Sequence, residues 1–227
     1  MHGAYVVNSF HDLITATYPP GVNAIVWPRQ LPGDYAEIAN ALPADEGIIP
    51  LEDEDLLRLA LSESGRLARA HLLADQTLLR SADLTPVLDI IHPHQRPAPE
   101  GAIPTDVHSF HADSATAPAD TYICTYTGAT SEGLLPGQAI PRIEIPETRA
   151  ALLAEYGGLD DQDFQDYLEE HYYTYHYLPA PGVTPYTFHR HYLYRIAIAY
   201  PGNPTPPCIH RAPLTLPGTP RRLLLLS

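Results

Sequence analysis

Residues 108 to 113 read His-Ser-Phe-His-Ala-Asp, so one alanine separates His111 from Asp113. On an extended strand, positions two apart share a face, and an imidazole and a carboxylate so placed can reach one point in space. Two imidazoles and one carboxylate on one face of iron(II) leave the opposite positions open for other ligands. The pair therefore calls for a second histidine from a distant strand. The stretch CIHRAPLTLPGTPRRLLLLS supplies His210, 99 positions after His111, with Arg221 and Arg222 eleven and twelve positions further on. Spacing alone decides little, because a chain with 12 histidines and 27 acidic residues holds about one His-x-Asp/Glu by chance. A hydrogen-bonded surface pair is the competing reading, and the conjunction with His210 and the arginines favours the metal.

An arginine so placed has its own chemistry. If 2-oxoglutarate is a cosubstrate, its remote carboxylate needs a fixed cation, and the planar guanidinium fork binds a carboxylate through two parallel hydrogen bonds. Neighbours on a strand point to opposite faces, so only one of Arg221 and Arg222 can serve. Arg222 is preferred because it abuts the apolar run. His108 reads as a neighbour of the site, and His92 and His94, in HPHQRP, as part of a solvated loop. The acidic GGLDDQDFQD lacks the twelve-residue calcium-loop pattern and reads as a helix start.

The elements that must position these groups change in character near residue 100. LEDEDLLRLALSESGRLARAHLLADQTLLR has acidic residues in its first turn and Leu57, Leu61 and Leu72 recurring at helical spacing, as in an amphipathic helix or helix pair. Thr85-Pro86 suggests an N-cap and first-turn proline for a short helix through Ile91. Beyond residue 103, DTYICTYTG, the longer YTFHRHYLYRIAIAY and RRLLLL read as strands, with prolines crowding the connections. One helix interrupts them, LDDQDFQDYLEEHYYTYHYL, with Phe164, Leu168 and Tyr172 on one stripe. The expected fold is α+β: an N-terminal helical support region, 1–102, packed on a jelly roll (double-stranded β-helix), 103–227, with a helical insertion between strands, all in one compact domain. The tyrosines and histidines of 171–194 either pack the helix and strand or line an aromatic pocket.

Composition bounds the partners. Of the 227 residues 44% are hydrophobic, enough for a real core, and the net charge is −14. With Arg221-Arg222 the only dense basic pair, neither nucleic acid nor anionic lipid is an expected partner. The opening residues have no positive leader followed by an apolar stretch, and no run is long enough for a membrane span, so a cytoplasmic location is expected. Cys124 and Cys208 are expected as buried thiols.

The order His-x-Asp, about a hundred residues, His, then Arg on the following strand resembles the Fe(II)/2-oxoglutarate-dependent dioxygenase superfamily. More narrowly, FHADSATAPADTYICTYTGATSEGL together with HRAP and RRLLLL is similar to an uncharacterised bacterial family built around a domain of unknown function. The resemblance implies that His111, Asp113 and His210 hold Fe(II), and that 2-oxoglutarate meets Arg222 or Arg221. It further implies that Thr125 or Tyr126 turns a hydroxyl toward the cosubstrate. Dioxygen would be consumed, with 2-oxoglutarate converted to succinate and carbon dioxide as a small-molecule, amino-acid or peptide substrate is hydroxylated or desaturated. Retention of Asp113 disfavours halogenation, because halogenating relatives carry a small residue there. Two other readings stay open: a cupin-like metalloprotein without 2-oxoglutarate, and a non-enzymatic binding or sensor module. Oligomeric state is not legible.

Overall fold

The computed structural model describes residues 3–43, 47–93, 101–172, 176–214 and 216–227. In chain order its elements are β1 (Tyr5–Val6), α1 (Phe10–Thr15), β2 (Ala24–Trp27), α2 (Tyr35–Ala41), β3 (Ile48–Leu51), α3 (Asp53–Leu57), α4 (Glu63–Arg80) and β4 (Val87–Ile91). There follow β5 (Asp120–Thr127), β6 (Glu132–Leu134), β7 (Ala139–Pro141), α5 (Pro146–Tyr156), α6 (Gln162–His171), β8 (Tyr177–Pro179), β9 (Tyr186–Thr187), β10 (Leu193–Ala197), β11 (Ile209–Arg211) and β12 (Arg222–Leu226). The fold is α+β. A mixed seven-stranded sheet, β1-β2-β10-β5-β12-β4-β3, has only its β1–β2 pair parallel, and β11-β6-β9 and β7-β8 form two smaller sheets.

Alternation along the central strands divides the large sheet into two environments. Leu88, Ile90, Tyr122, Cys124, Tyr126, Leu223 and Leu225 pack with Leu13 of α1, Ile38 of α2 and Leu72 and Leu79 of α4. Ile91, Ile123, Tyr194, Ile196 and Leu224 turn the other way, toward Phe188 and Cys208 beside the small sheet. Coverage on both faces explains why β12 reads as an unbroken apolar run. Helix α4 begins where the Ser62 side chain accepts from the Gly65 N–H, and buries Ala68, Leu72 and Leu79 on one stripe. Leu57, expected on that stripe, is 57% exposed because α3 ends there.

Several expectations need correction. The first hundred residues are not a purely helical support, since β1 to β4 all join the large sheet. The short helix expected after Thr85-Pro86 is the strand β4, held between β3 and β12; three of its five residues are β-branched, and a segment that short gains more from two ladders than from one helical turn. YTFHRHYLYRIAIAY is two strands, β9 and β10, around a turn in which His191 takes φ 68°. Helix α5 was not anticipated; it packs Leu152 against Phe164 and Leu168 of α6. His92 is buried, its N–H donating to the Gly47 carbonyl at 2.8 Å, rather than solvated. His94, with the rest of 94–100, and residues 173–175 of the Tyr/His-rich segment lie outside the described residues. Both cysteines are free and buried, as expected, and no helix among the described residues is long and apolar enough to cross a membrane.

Pairings among eight segments are nested. β4 pairs with β12, His111 reaches His210 of β11 through an isolated bridge, β5 pairs with β10, and β6 with β9. The chain thus alternates between large and small sheets, and the segment with β7, β8, α5 and α6 is inserted at the β6–β9 turn.

On the helical side of the sheet, Arg29 and Asp75 form a buried ion pair at 2.5 Å, and the Tyr126 hydroxyl donates to the other Asp75 oxygen at 2.5 Å. Removing the carboxylate leaves the guanidinium buried without a counter-charge. Asp75→Ala is expected to lower the unfolding free energy in urea by about 3–5 kcal/mol, and Arg29→Met with Asp75→Leu to recover most of that loss. A single-variant loss below about 1 kcal/mol would show that the pair is not buried as described.

Candidate metal centre and its cavity

His111 and His210 come together through the backbone. The His111 N–H donates to the His210 carbonyl at 2.9 Å and the His210 N–H to the His111 carbonyl at 3.0 Å. Residues paired this way in an antiparallel ladder put their side chains on the same face, and the two rings lie 4.7 Å apart between centroids. The sequence places His111 and Asp113 on an extended strand; His111 belongs instead to no regular strand but to this isolated bridge. Asp113 is fixed by its own backbone, its carbonyl accepting from the Ala199 N–H at 2.8 Å.

The three side chains converge. His111 Nε2 is 3.7 Å from Asp113 Oδ1, His210 Nε2 is 3.9 Å from Asp113 Oδ2, and one donor atom from each residue lies within 4.8 Å of the others. The group can hold a metal ion. His111 Nδ1 faces the Ser109 carbonyl at 2.8 Å and His210 Nδ1 the Cys208 carbonyl at 3.2 Å. A carbonyl only accepts, so each Nδ1 carries the proton and each Nε2 lone pair is turned to the centre. Burial holds the His210 imidazole below its ordinary pKa, which favours the neutral, ligating form. The Thr121 hydroxyl donates to Asp113 Oδ2 at 2.7 Å and sets the plane of the carboxylate.

The triad opens into a cavity of about 420 Å³ between the two sheets, also lined by Thr121, Ile123, Ser131, Arg222, Leu224 and Asp89. Arg222 is 2% exposed. Its Nη2 donates to Ser131 Oγ at 3.0 Å and Thr125 Oγ1 at 3.3 Å, while its buried Nε has no acceptor. No carboxylate among the described residues pairs with it. Desolvation pushes its pKa down to about 10, so the side chain stays charged at neutral pH. Other buried guanidinium groups are fully engaged on the helical side. Arg195 donates to the Leu13 and Ala16 carbonyls at the end of α1, and Arg29 meets Asp75.

Two expected cosubstrate groups lie elsewhere. Arg221 turns to the helical side, where its Nη1 donates to the Ala39 and Leu42 carbonyls at 2.7 and 2.9 Å and caps α2. Tyr126, next on β5 to Thr125, whose Oγ1 accepts from Arg222, must point the opposite way, and its hydroxyl is held by Asp75. His108 joins a separate cavity of about 430 Å³ with Asp106, Arg142 and Arg211. Sequence reasoning missed Thr121, Ser131 and Asp89. Thr121 was within reach, because it shares the parity of Ile123 and Thr125 on β5; the other two are brought in by topology.

If Thr121 orients the ligating carboxylate, Thr121→Val should weaken Co(II) binding about 10- to 100-fold in calorimetry without shifting the thermal midpoint appreciably. Unchanged affinity would mean that Asp113 needs no such support or binds no ion. In comparison with known proteins, no protein-family model matches the chain, and no curated protein and no solved structure matches it, so the reading of this cavity rests on its own geometry.

Proposed function

We propose that the protein is a non-haem Fe(II)- and 2-oxoglutarate-dependent oxygenase that hydroxylates or desaturates a small-molecule, amino-acid or peptide substrate. One observation carries this reading: a cavity that holds a His-Asp-His group also holds a buried arginine with no carboxylate partner among the described residues and an unused Nε–H. A buried cation without a counter-ion is costly, and a carboxylate arriving in the cavity is the group that would relieve it. The residues present fit both groups. His111, His210 and Asp113 offer two neutral imidazoles and an oxygen, a set suited to iron(II) with open positions. Arg222, Ser131 and Thr125 offer a charged fork and two hydroxyls for the remote carboxylate of 2-oxoglutarate.

The strand order supports the finer reading of the fold as a jelly roll. Segments paired first with eighth, second with seventh, third with sixth and fourth with fifth are those of one long antiparallel hairpin wound between two facing sheets. In such a winding the ends of the hairpin lie side by side, which would bring Arg222 on the last strand over the cavity that His111 enters from the second segment.

Bound together, iron(II) and 2-oxoglutarate supply the activation of dioxygen that oxidises a C–H bond. The chain's part is to position and to exclude. Backbone carbonyls lock the histidine tautomers, Thr121 leaves Asp113 Oδ1 for the ion, and Ile91, Ile123 and Leu224 keep water from the path between the triad and Arg222. Asp113 in the ligand set favours hydroxylation or desaturation, since the position is filled by a carboxylate.

Addition of Fe(II) and 2-oxoglutarate without oxygen should produce a weak visible charge-transfer band. Iron bound without that band would favour a cupin-like centre, and binding of neither would favour a non-enzymatic module. Arg222→Met separates cosubstrate binding from folding, because the two effects have opposite signs. The variant should bind 2-oxoglutarate about 100-fold more weakly, yet have an unfolding free energy in urea higher by about 1–3 kcal/mol in the absence of ligand. Equal 2-oxoglutarate affinity in the two proteins would contradict the assignment of Arg222.

A further inference from the structure

The cavity has a second wall that the iron and 2-oxoglutarate do not account for. On β4, Val87, Asp89 and Ile91 face inward, and Asp89 is the one charged group among them. Register fixes where it stands. Leu224 of β12 is opposite Asp89 on one side and Thr125 on the other, so Asp89 and Thr125 are separated by two inter-strand spacings, about 10 Å. Arg222 leans toward Thr125 and Ser131, away from β4. Asp89 is half-buried and has no hydrogen-bond or ion-pair partner among the described residues, although Arg222 lines the same cavity. Burial accordingly holds its pKa above the ordinary carboxylate value. Around it the wall is aliphatic: Ile48, Val87, Val107 and Leu226.

We infer that Asp89 is a specificity-determining residue that receives the cationic head of the substrate, a primary amine or guanidinium on an aliphatic chain. The inference rests on the oxygenase reading of the cavity and adds to it the class of compound oxidised. A carboxylate partly removed from water and left unpaired gains most from a cation that brings its own donors, whereas a neutral or anionic head would leave it unsatisfied. The aliphatic wall suits the chain that follows such a head, and a cavity of about 420 Å³ is of small-ligand size, in the range of roughly 300–1,000 Å³. Arg222, on the neighbouring strand β12 with its guanidinium turned to Thr125 and Ser131, would repel the same cation, so the two charges sort cosubstrate toward β5 and substrate toward β4.

Matched probes test this without a known substrate. n-Butylammonium and n-butanol are titrated into the full-length chain while the amide resonances of residues 87–91 are followed by NMR. The Asp113→Ala background removes the other acidic side chain that lines the cavity among the described residues and makes the readout independent of iron. Butylammonium should bind at least about tenfold more tightly than butanol, with the preference kept in Asp89→Glu and lost in Asp89→Asn. Equal binding of the two probes, or a preference that survives Asp89→Asn, would overturn the assignment and leave the oxygenase reading standing. Absence of the iron and 2-oxoglutarate band, with the butylammonium preference intact, would overturn that reading and leave a cation-binding cavity.

Discussion

Two backbone hydrogen bonds, between His111 and His210 in each direction, carry the arrangement on which the site depends. They join residues 99 positions apart in a reciprocal pair, so both imidazoles leave the ladder on one face. A slip of one residue would turn one ring to the opposite side and dissolve the triad. Each ring is then held by a carbonyl two residues before it, Ser109 for His111 and Cys208 for His210, a symmetry that follows from the pairing itself. On β6, which continues the ladder beyond His210, Gly133 leaves room for the Tyr186 ring; a Cβ there would lie 2.5 Å from it.

The large sheet divides polar groups by function as well as by face. Its helical side uses charge for structure: Arg195 and Arg221 close helix ends, and Arg29 is neutralised by Asp75. The cavity side holds groups whose hydrogen-bonding capacity is not used up within the fold, Arg222 with a free Nε–H and Asp89 with no partner among the described residues. Strand parity is the device that separates them. Gly128 makes the turn out of β5 at φ 78°, where a Cβ would lie 3.1 Å from the Arg221 carbonyl oxygen, and so lets β12 pass close enough for Arg222 to reach Thr125.

Much of this was legible from residue types. His111, Asp113 and His210 follow from the chemistry of ligands, the period of two along a strand leaves room for only one of Arg221 and Arg222, and the adjoining apolar run points to Arg222; the fold brings these four groups to one cavity. The same period also excludes Thr125 and Tyr126 from sharing a role, since neighbours on β5 point to opposite faces. β4 was misread because Thr85-Pro86 serves equally well before a helix or a strand, and what decides is the pair of ladders supplied by β3 and β12, which lie far off in sequence. Ser131, Asp89 and the Asp75–Arg29–Tyr126 group were illegible for the same reason, since their neighbours are chosen by topology.

Anomalous diffraction from crystals grown with Fe(II) under nitrogen tests the central claim most directly. A single iron peak is expected about 2.0–2.2 Å from Nε2 of His111, Nε2 of His210 and one oxygen of Asp113. Iron bound elsewhere on the chain, or held by only one of these three side chains, would contradict the account.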